Sequence, residues 1–206
     1  MADVQNQSPR VTTGYLNTVN DPSPGVPLVS PSGSIVQPYG GQVGGDTYLS
    51  AADALKLSDV TGTGTLFEGI YKYVQFLSSS TATAVRGQIL FWSNRSQYIV
   101  TPDYAVASNA KIAGICLNVV TKGNWGFIQI AGKASLLFKA AFVGAAADGV
   151  VVGVDSVTPS ALATVPDQTA AQIPSLAKLN IGIADGLPAI STVSLVDLYR
   201  TFDNNW

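Results

Sequence analysis

From residue 69 onward the chain is written in a period of two. In Ile70-Tyr71-Lys72-Tyr73-Val74-Gln75-Phe76 one face carries Tyr71 and Tyr73, and the other carries Ile70, Val74 and Phe76, broken by Lys72. That alternation belongs to a strand, whose side chains point to opposite sides in turn. Runs of the same kind follow at 88–92, 97–101, 112–120, 125–131, 134–138, 149–154, 179–184 and 190–199. Turn signals separate them, among them Ser93-Asn94, Pro102-Asp103, Lys122-Gly123-Asn124 and Asp148-Gly149. Short strands following closely on one another, with no helical interval, argue for a mainly β fold. A small β-barrel or sandwich over residues 65–206 is predicted in preference to a parallel α/β sheet. The stretch 158–176, rich in Ala, Pro and Thr, interrupts the series. It reads as an excursion loop or projection, the alternative being a short alanine-driven helix near 169–172.

One segment echoes another. Ile112-Ala113-Gly114-Ile115 leads through a short connection to the run at 125–131, and Asn180-Ile181-Gly182-Ile183 leads through Gly186-Leu187-Pro188 to the run at 190–198. Glycine inside an apolar strand marks a bulge or a close backbone approach. The echo is either one β-unit used twice in closing a small barrel or a coincidence.

The leading residues differ in kind. Between Met1 and Gly45 stand Pro9, Pro22, Pro24, Pro27, Pro31 and Pro38, with apolar residues arriving singly. Proline removes backbone donors and biases its predecessor toward extended geometry, so residues 1–64 are expected to form an extended arm that cannot build its own core, the alternative to a docked arm being disorder driven by composition. The spaced apolar residues suit docking by single anchors, and Val11, Tyr15, Leu16, Leu28, Ile35 and Tyr39 are the candidates. Trp206, closing the short polar tail Phe202-Asp203-Asn204-Asn205-Trp206, is a further one. Ser50-Ala51-Ala52-Asp53 has the form of a helix start, which predicts one short helix near 50–57. Thr61-Gly62-Thr63-Gly64-Thr65 reads as a hinge into the β body.

Composition narrows the chemistry. With no histidine, one cysteine (Cys116) and one glutamate (Glu68), the usual triads, paired-thiol metal sites and most zinc sites cannot be assembled. No catalytic residue, metal site or cofactor is therefore expected, and the chain reads as a non-enzyme. Cys116, between Ile115 and Leu117, reads as a small core residue. Asp148, Asp155 and Asp185 lie beside strands and read as turn acids; an enzyme would need two of the scattered aspartates to meet in space. Gly40-Gly41-Gln42-Val43-Gly44-Gly45 lacks the Gly-Lys-Ser/Thr ending of a phosphate loop. The 11 Lys and Arg are scattered and the net charge is -2, so no nucleic-acid partner is expected. No membrane partner is expected either, because the most apolar stretch, 134–154, is broken by Lys139 and Asp148. The leading residues MADVQNQSPR lack the basic-then-apolar pattern of a secretory signal, so assembly in a cytoplasm is expected. Charged residues make up 12% and hydrophobic ones 47%, a surface better explained if partners cover part of it than by a monomer coated in Ser, Thr, Asn and Gln. Trp92, Trp125 and Trp206, with Tyr71, Tyr73, Tyr98 and Tyr104, could line a carbohydrate surface, although Trp92 and Trp125, at the ends of apolar runs, read as packing residues.

A proline-rich arm precedes a small β domain that carries Ala113-Gly114-Ile115-Cys116, a strand bounded by Gly126 and Gly132, Ala147-Asp148-Gly149-Val150-Val151-Val152, and Ile181-Gly182-Ile183-Ala184. Over about residues 87–198 this combination resembles the tailed-phage capsid decoration, or cement, proteins. The resemblance implies a virion subunit, often a homotrimer, on the outside of an icosahedral head, with the major capsid protein as its partner. In that reading the β domain is the body and the arm is the clamp. The alternative reading is a carbohydrate-binding head-fibre or baseplate module.

Overall fold

The computed structural model describes residues 28–29, 35–36, 46–51, 67–80, 83–103, 111–117, 119–139, 145–155, 162–164 and 181–198. They form a mainly β protein. Its strands are β1 (Leu28–Val29), β2 (Ile35–Val36), β3 (Asp46–Leu49), β4 (Gly69–Phe76), β5 (Ile89–Asn94), β6 (Ile99–Thr101), β7 (Ile112–Cys116), β8 (Trp125–Leu137), β9 (Val151–Asp155), β10 (Leu162–Thr164), β11 (Gly182–Ala184) and β12 (Val193–Leu198). The hinge at 61–65, all but the first two residues of the expected helix at 50–57, and the alternative helix near 169–172 lie outside the described residues.

Five strands close a barrel in the order β4–β8–β7–β5–β6, with β6 returning to β4 as the parallel neighbour. Closure gives every wall strand a partner on both sides and removes the exposed edges that invite aggregation. β6 is short, and β3 runs antiparallel beside the other end of β4. The sheet thus begins within the segment whose composition suggested an arm.

The sequence suggested separate strands at 125–131 and 134–138; the structure shows one strand of 13 residues. Gly132 joins the two parts. Its φ of 88° is open to glycine at no steric cost. A Cβ there would also strike the Glu68 carbonyl and the Gly69 Cα. A register shift between Ile70 and Tyr71, where β4 meets β8, adds a bulge just before the bend.

The second part of β8 opens another barrel. It pairs with β12, β12 with β11, β11 with β9 and β9 with β10. β10 then returns to the end of β8 through a parallel bridge between Phe138 and Ala163, where the Lys139 amide donates to the Ala163 carbonyl at 3.0 Å. β10 lies inside the segment read as an excursion loop at 158–176. Ala163 is fully buried there, so at least this part of the segment belongs to a barrel wall.

The two barrels share not only strand order but register. Lys72, Tyr73, Val74 and Gln75 face Ile128, Phe127, Gly126 and Trp125 in the first; Ala134, Ser135, Leu136 and Leu137 face Val196, Leu195, Ser194 and Val193 in the second. Leu90 faces Gly114 as Val152 faces Gly182, and Cys116 faces Ile128 as Ala184 faces Val196. The Gly87 amide donates to the Cys116 carbonyl at 2.8 Å, and the Gly149 amide to the Ala184 carbonyl at 3.0 Å. Gly87 and Gly149 have φ of 80° and 75°. The echo in the sequence is therefore one five-strand unit present twice, with β8 serving both copies.

Equivalent positions also carry equivalent packing. Leu136, Phe138, Val152, Val154, Ala163, Ala184 and Val196 fill the second barrel. Their counterparts Val74, Phe76, Leu90, Trp92, Val100, Cys116 and Ile128 fill the first, so Cys116 is the core residue its apolar neighbours suggested. Each large aliphatic or aromatic side chain so buried contributes about 1.5–3 kcal/mol. The outward wall of the first barrel is covered as well, with Tyr71, Tyr73, Ile89, Ile115 and Phe127 all at 3% exposure or less. This explains why Ile89-Leu90-Phe91-Trp92 is a continuous apolar run, buried on both faces.

Candidate functional site

Of the candidate anchors, Val11, Tyr15, Leu16, Tyr39 and Trp206 lie outside the described residues. Leu28 and Ile35 are brought together in the two-stranded ribbon of β1 and β2, where Leu28 pairs with Val36 and Val29 with Ile35. They occupy successive rungs of that ribbon, which among the described residues is not paired with the larger sheet.

The aromatic residues go mainly to packing. Tyr71, Tyr73 and Trp92 are buried. Tyr73 stacks on Trp125 with centroids 6.0 Å apart and tilts against Phe127 at 5.0 Å. Trp92 meets Tyr98 edge-on at 6.3 Å, and the Lys72 ammonium lies 5.8 Å from the Tyr98 ring centroid. Lys72 is thus placed on the interior side of the first barrel, at the position Ala134 takes in the second. Tyr98 holds a φ of 56°, and its carbonyl accepts from the Gln75 amide at 2.9 Å. Three of the rings that could have formed a sugar platform are therefore inside the protein. Tyr104 lies outside the described residues.

The acids near the strands have structural partners. The Asp148 carboxylate accepts from the Gly186 amide at 2.8 Å, tying together the turns before β9 and after β11. Asp185 forms an ion pair with Lys133 in which both side chains are more than a third exposed. Its hydrogen bond holds the Lys133 ammonium above the usual lysine range. At that exposure the pair contributes little to stability. The Asp155 side chain is outside the described set. Among the described residues no three metal-ligating side chains come together. Tyr48 on β3 donates to the carboxylate of Glu68, which pushes the Tyr48 phenol up.

Among the described residues, Tyr71 is the buried group with a large shift, and its titration bears on the fold. Burial pushes its phenol well above 10.0, although its hydroxyl donates to the Phe67 carbonyl at 2.8 Å. Below the unfolded value of 10.0 both states hold the proton and the stabilisation is complete. Above it the unfolded chain releases a proton that the folded chain keeps, so stability falls by about 1.4 kcal/mol per pH unit. Urea unfolding of the wild type should show this decline from about pH 10 upward. Tyr71→Phe should remove the corresponding part of the slope; an unchanged slope would show that the phenol is not held protonated.

Among the described residues, the large apolar side chains left exposed are Tyr48, Val119, Ile183, Leu187, Ile190 and Val193. Val119 lies in the β7–β8 loop, and Leu187 and Ile190 in the β11–β12 loop. Ile183 and Val193 stand on the outward wall of the second barrel, where the first barrel has the buried Ile115 and the partly covered Trp125. None of these was among the sequence candidates. The available signal was the equal spacing from each glycine-bearing strand to the strand that follows it.

No protein-family model matches this chain, and no curated protein sequence matches it at a significant level. Among solved structures it is similar to the base of the head fibre gp8.5 of bacteriophage phi29, at 11% identity and a TM-score of 0.39, covering 63% of this chain and 93% of that one. A likeness at that level says nothing about what this chain does.

Proposed function

We infer that the chain is a structural protein of a phage-like head: a non-enzymatic decoration or cement subunit that assembles in the host cytoplasm. It sits on the outside of an icosahedral shell, as a trimer, and clamps neighbouring copies of the major capsid protein. The observation that carries this reading is the union of two unlike parts in one sequence. One is a pair of closed barrels whose strands are satisfied internally, which makes a stiff body. The other is a proline-rich leading segment with single apolar anchors, suited to binding by extension over another surface.

Such a division of labour fits a clamp. Internal pressure pulls capsid subunits apart, and a chain that bridges several of them adds buried area that must be lost before they separate. The low charge is consistent with a surface meant to be covered by protein and not by nucleic acid. The competing carbohydrate reading loses support because Tyr71, Tyr73 and Trp92 are buried.

The test is binding to empty phage heads assembled from purified major capsid protein, with electron microscopy to place any bound subunit. The full chain should decorate the outer surface. A chain lacking residues 1–45 should keep the β-sheet circular dichroism of the parent and pellet with heads at background level. Saturation of the heads by the truncated chain would remove the arm from the clamp.

A further inference from the structure

The bend in β8 is held by a side chain of the same strand. Gln129 stands on the outward wall of the first barrel, paired across the sheet with Tyr71 and Ile115, and is 2% exposed. Its Nε2 donates to the Lys133 carbonyl at 2.7 Å and to the Ala131 carbonyl at 3.3 Å, the two carbonyls that flank Gly132. Gly69 on β4 leaves the room that this group fills, since a Cβ there would lie 2.9 Å from Nε2.

Both bonds can form together only while the strand is bent. In a straight strand, residues two apart turn their carbonyls the same way about 7 Å from each other, beyond the reach of the two hydrogens on one nitrogen. Gly132, at a φ of 88°, brings the two oxygens together. A side-chain amide nitrogen carries two hydrogens, so one residue can hold both. The barrel itself does not call for this amide. The matching place in the second barrel holds Asp197, an exposed residue whose ionised carboxylate has no hydrogen to donate. The difference falls where the first barrel hands β8 to the second.

We propose that Gln129 is the brace that sets the angle between the two barrels. Gly132 permits the bend, and Gln129 fixes it by holding together two carbonyls that would part if β8 straightened. Such a brace acts on the shape of the body, whatever that body binds.

Pulsed electron spin resonance between two labels on the full chain measures the angle. Val119→Cys and Leu187→Cys carry the labels, on exposed residues of loops that lie at opposite ends of β8. Cys116→Ala removes the native thiol by supplying the residue of its counterpart, Ala184. This parent should give one narrow distance distribution. Gln129→Leu keeps the bulk and loses both hydrogens, while Gln129→Asn keeps the hydrogens on a stem one methylene shorter. Each should shift the distribution and widen it about twofold, with the circular dichroism and tryptophan fluorescence of the parent retained. Asp197→Asn, at the matching place, should leave the distribution unchanged. An unchanged distribution in either folded Gln129 variant would overturn the brace. An equal widening with Asp197→Asn would overturn it too, by placing the effect in the sheet at large. Loss of the folded fluorescence signal in both Gln129 variants would make Gln129 a core residue of the first barrel, with the same result.

Discussion

Gly182→Ala is expected to destabilise the protein by about 3 kcal/mol, a fall in melting temperature of about 9 °C for a chain of this size. The cause is local crowding. A Cβ on Gly182 would run into the Asp197 carbonyl of the neighbouring strand and come within 2.7 Å of Val196 Cγ1. Backbone cannot swing aside as the end of a side chain can, so β11 and β12 would have to separate. Gly114→Ala should act in the same way, and by about 2 kcal/mol, because its Cβ would lie 2.6 Å from the Gln129 carbonyl. Gln129 in the first barrel is the counterpart of Asp197 in the second, so the two substitutions press on the same point of the duplicated unit. Thermal or urea unfolding measures both. A loss under about 0.5 kcal/mol, the size of an ordinary surface change, would show that neither close approach is real.

The second large effect is in the interiors. Phe76 ends β4 and Phe138 directly follows β8 at the matching position; they are 2% and 1% exposed, and each lies at the parallel contact that closes its barrel. Phe76→Ala and Phe138→Ala should each cost about 4 kcal/mol, from lost burial and the void that remains. Because β8 forms part of both walls, neither barrel can come apart without taking a strand from the other. Both variants should therefore shift one common transition. In a Trp206→Phe background, tryptophan fluorescence follows the first barrel through Trp92 and Trp125, and circular dichroism follows the whole. Coincident curves are expected for both variants. Phe138→Ala curves that part, with the fluorescence transition left in place, would mean that the barrels unfold separately.

The candidate surface was less legible than the fold. The anchors proposed from the leading segment rest on spacing of apolar residues, and of these only Leu28 and Ile35 fall within described backbone, on successive rungs of the β1–β2 ribbon. The exposure of Val119 and Leu187 was not legible because a single Val or Leu in a loop looks like a core residue. Only their exposure, set against the burial of Val120 and Pro188, distinguishes them. The aromatic residues failed as a surface for the opposite reason: period two predicts which rings share a face, but not whether that face meets solvent, and in β4 both faces are covered.

The sequence by itself determined where most strands lie, since alternation is a property of neighbouring residues and survives in any tertiary setting. It also marked Gly114 and Gly182 as places of close approach, because a missing side chain within an apolar run has few other uses. The tertiary structure alone decided that the runs on either side of Gly132 are one strand, that part of the 158–176 segment is a wall strand, and that the echo is a complete second barrel. Each of these depends on pairing between residues far apart in the chain. The hydrogen bonds that choose a strand's neighbour come from backbone groups common to all residues, so the choice leaves almost no mark on the residues themselves.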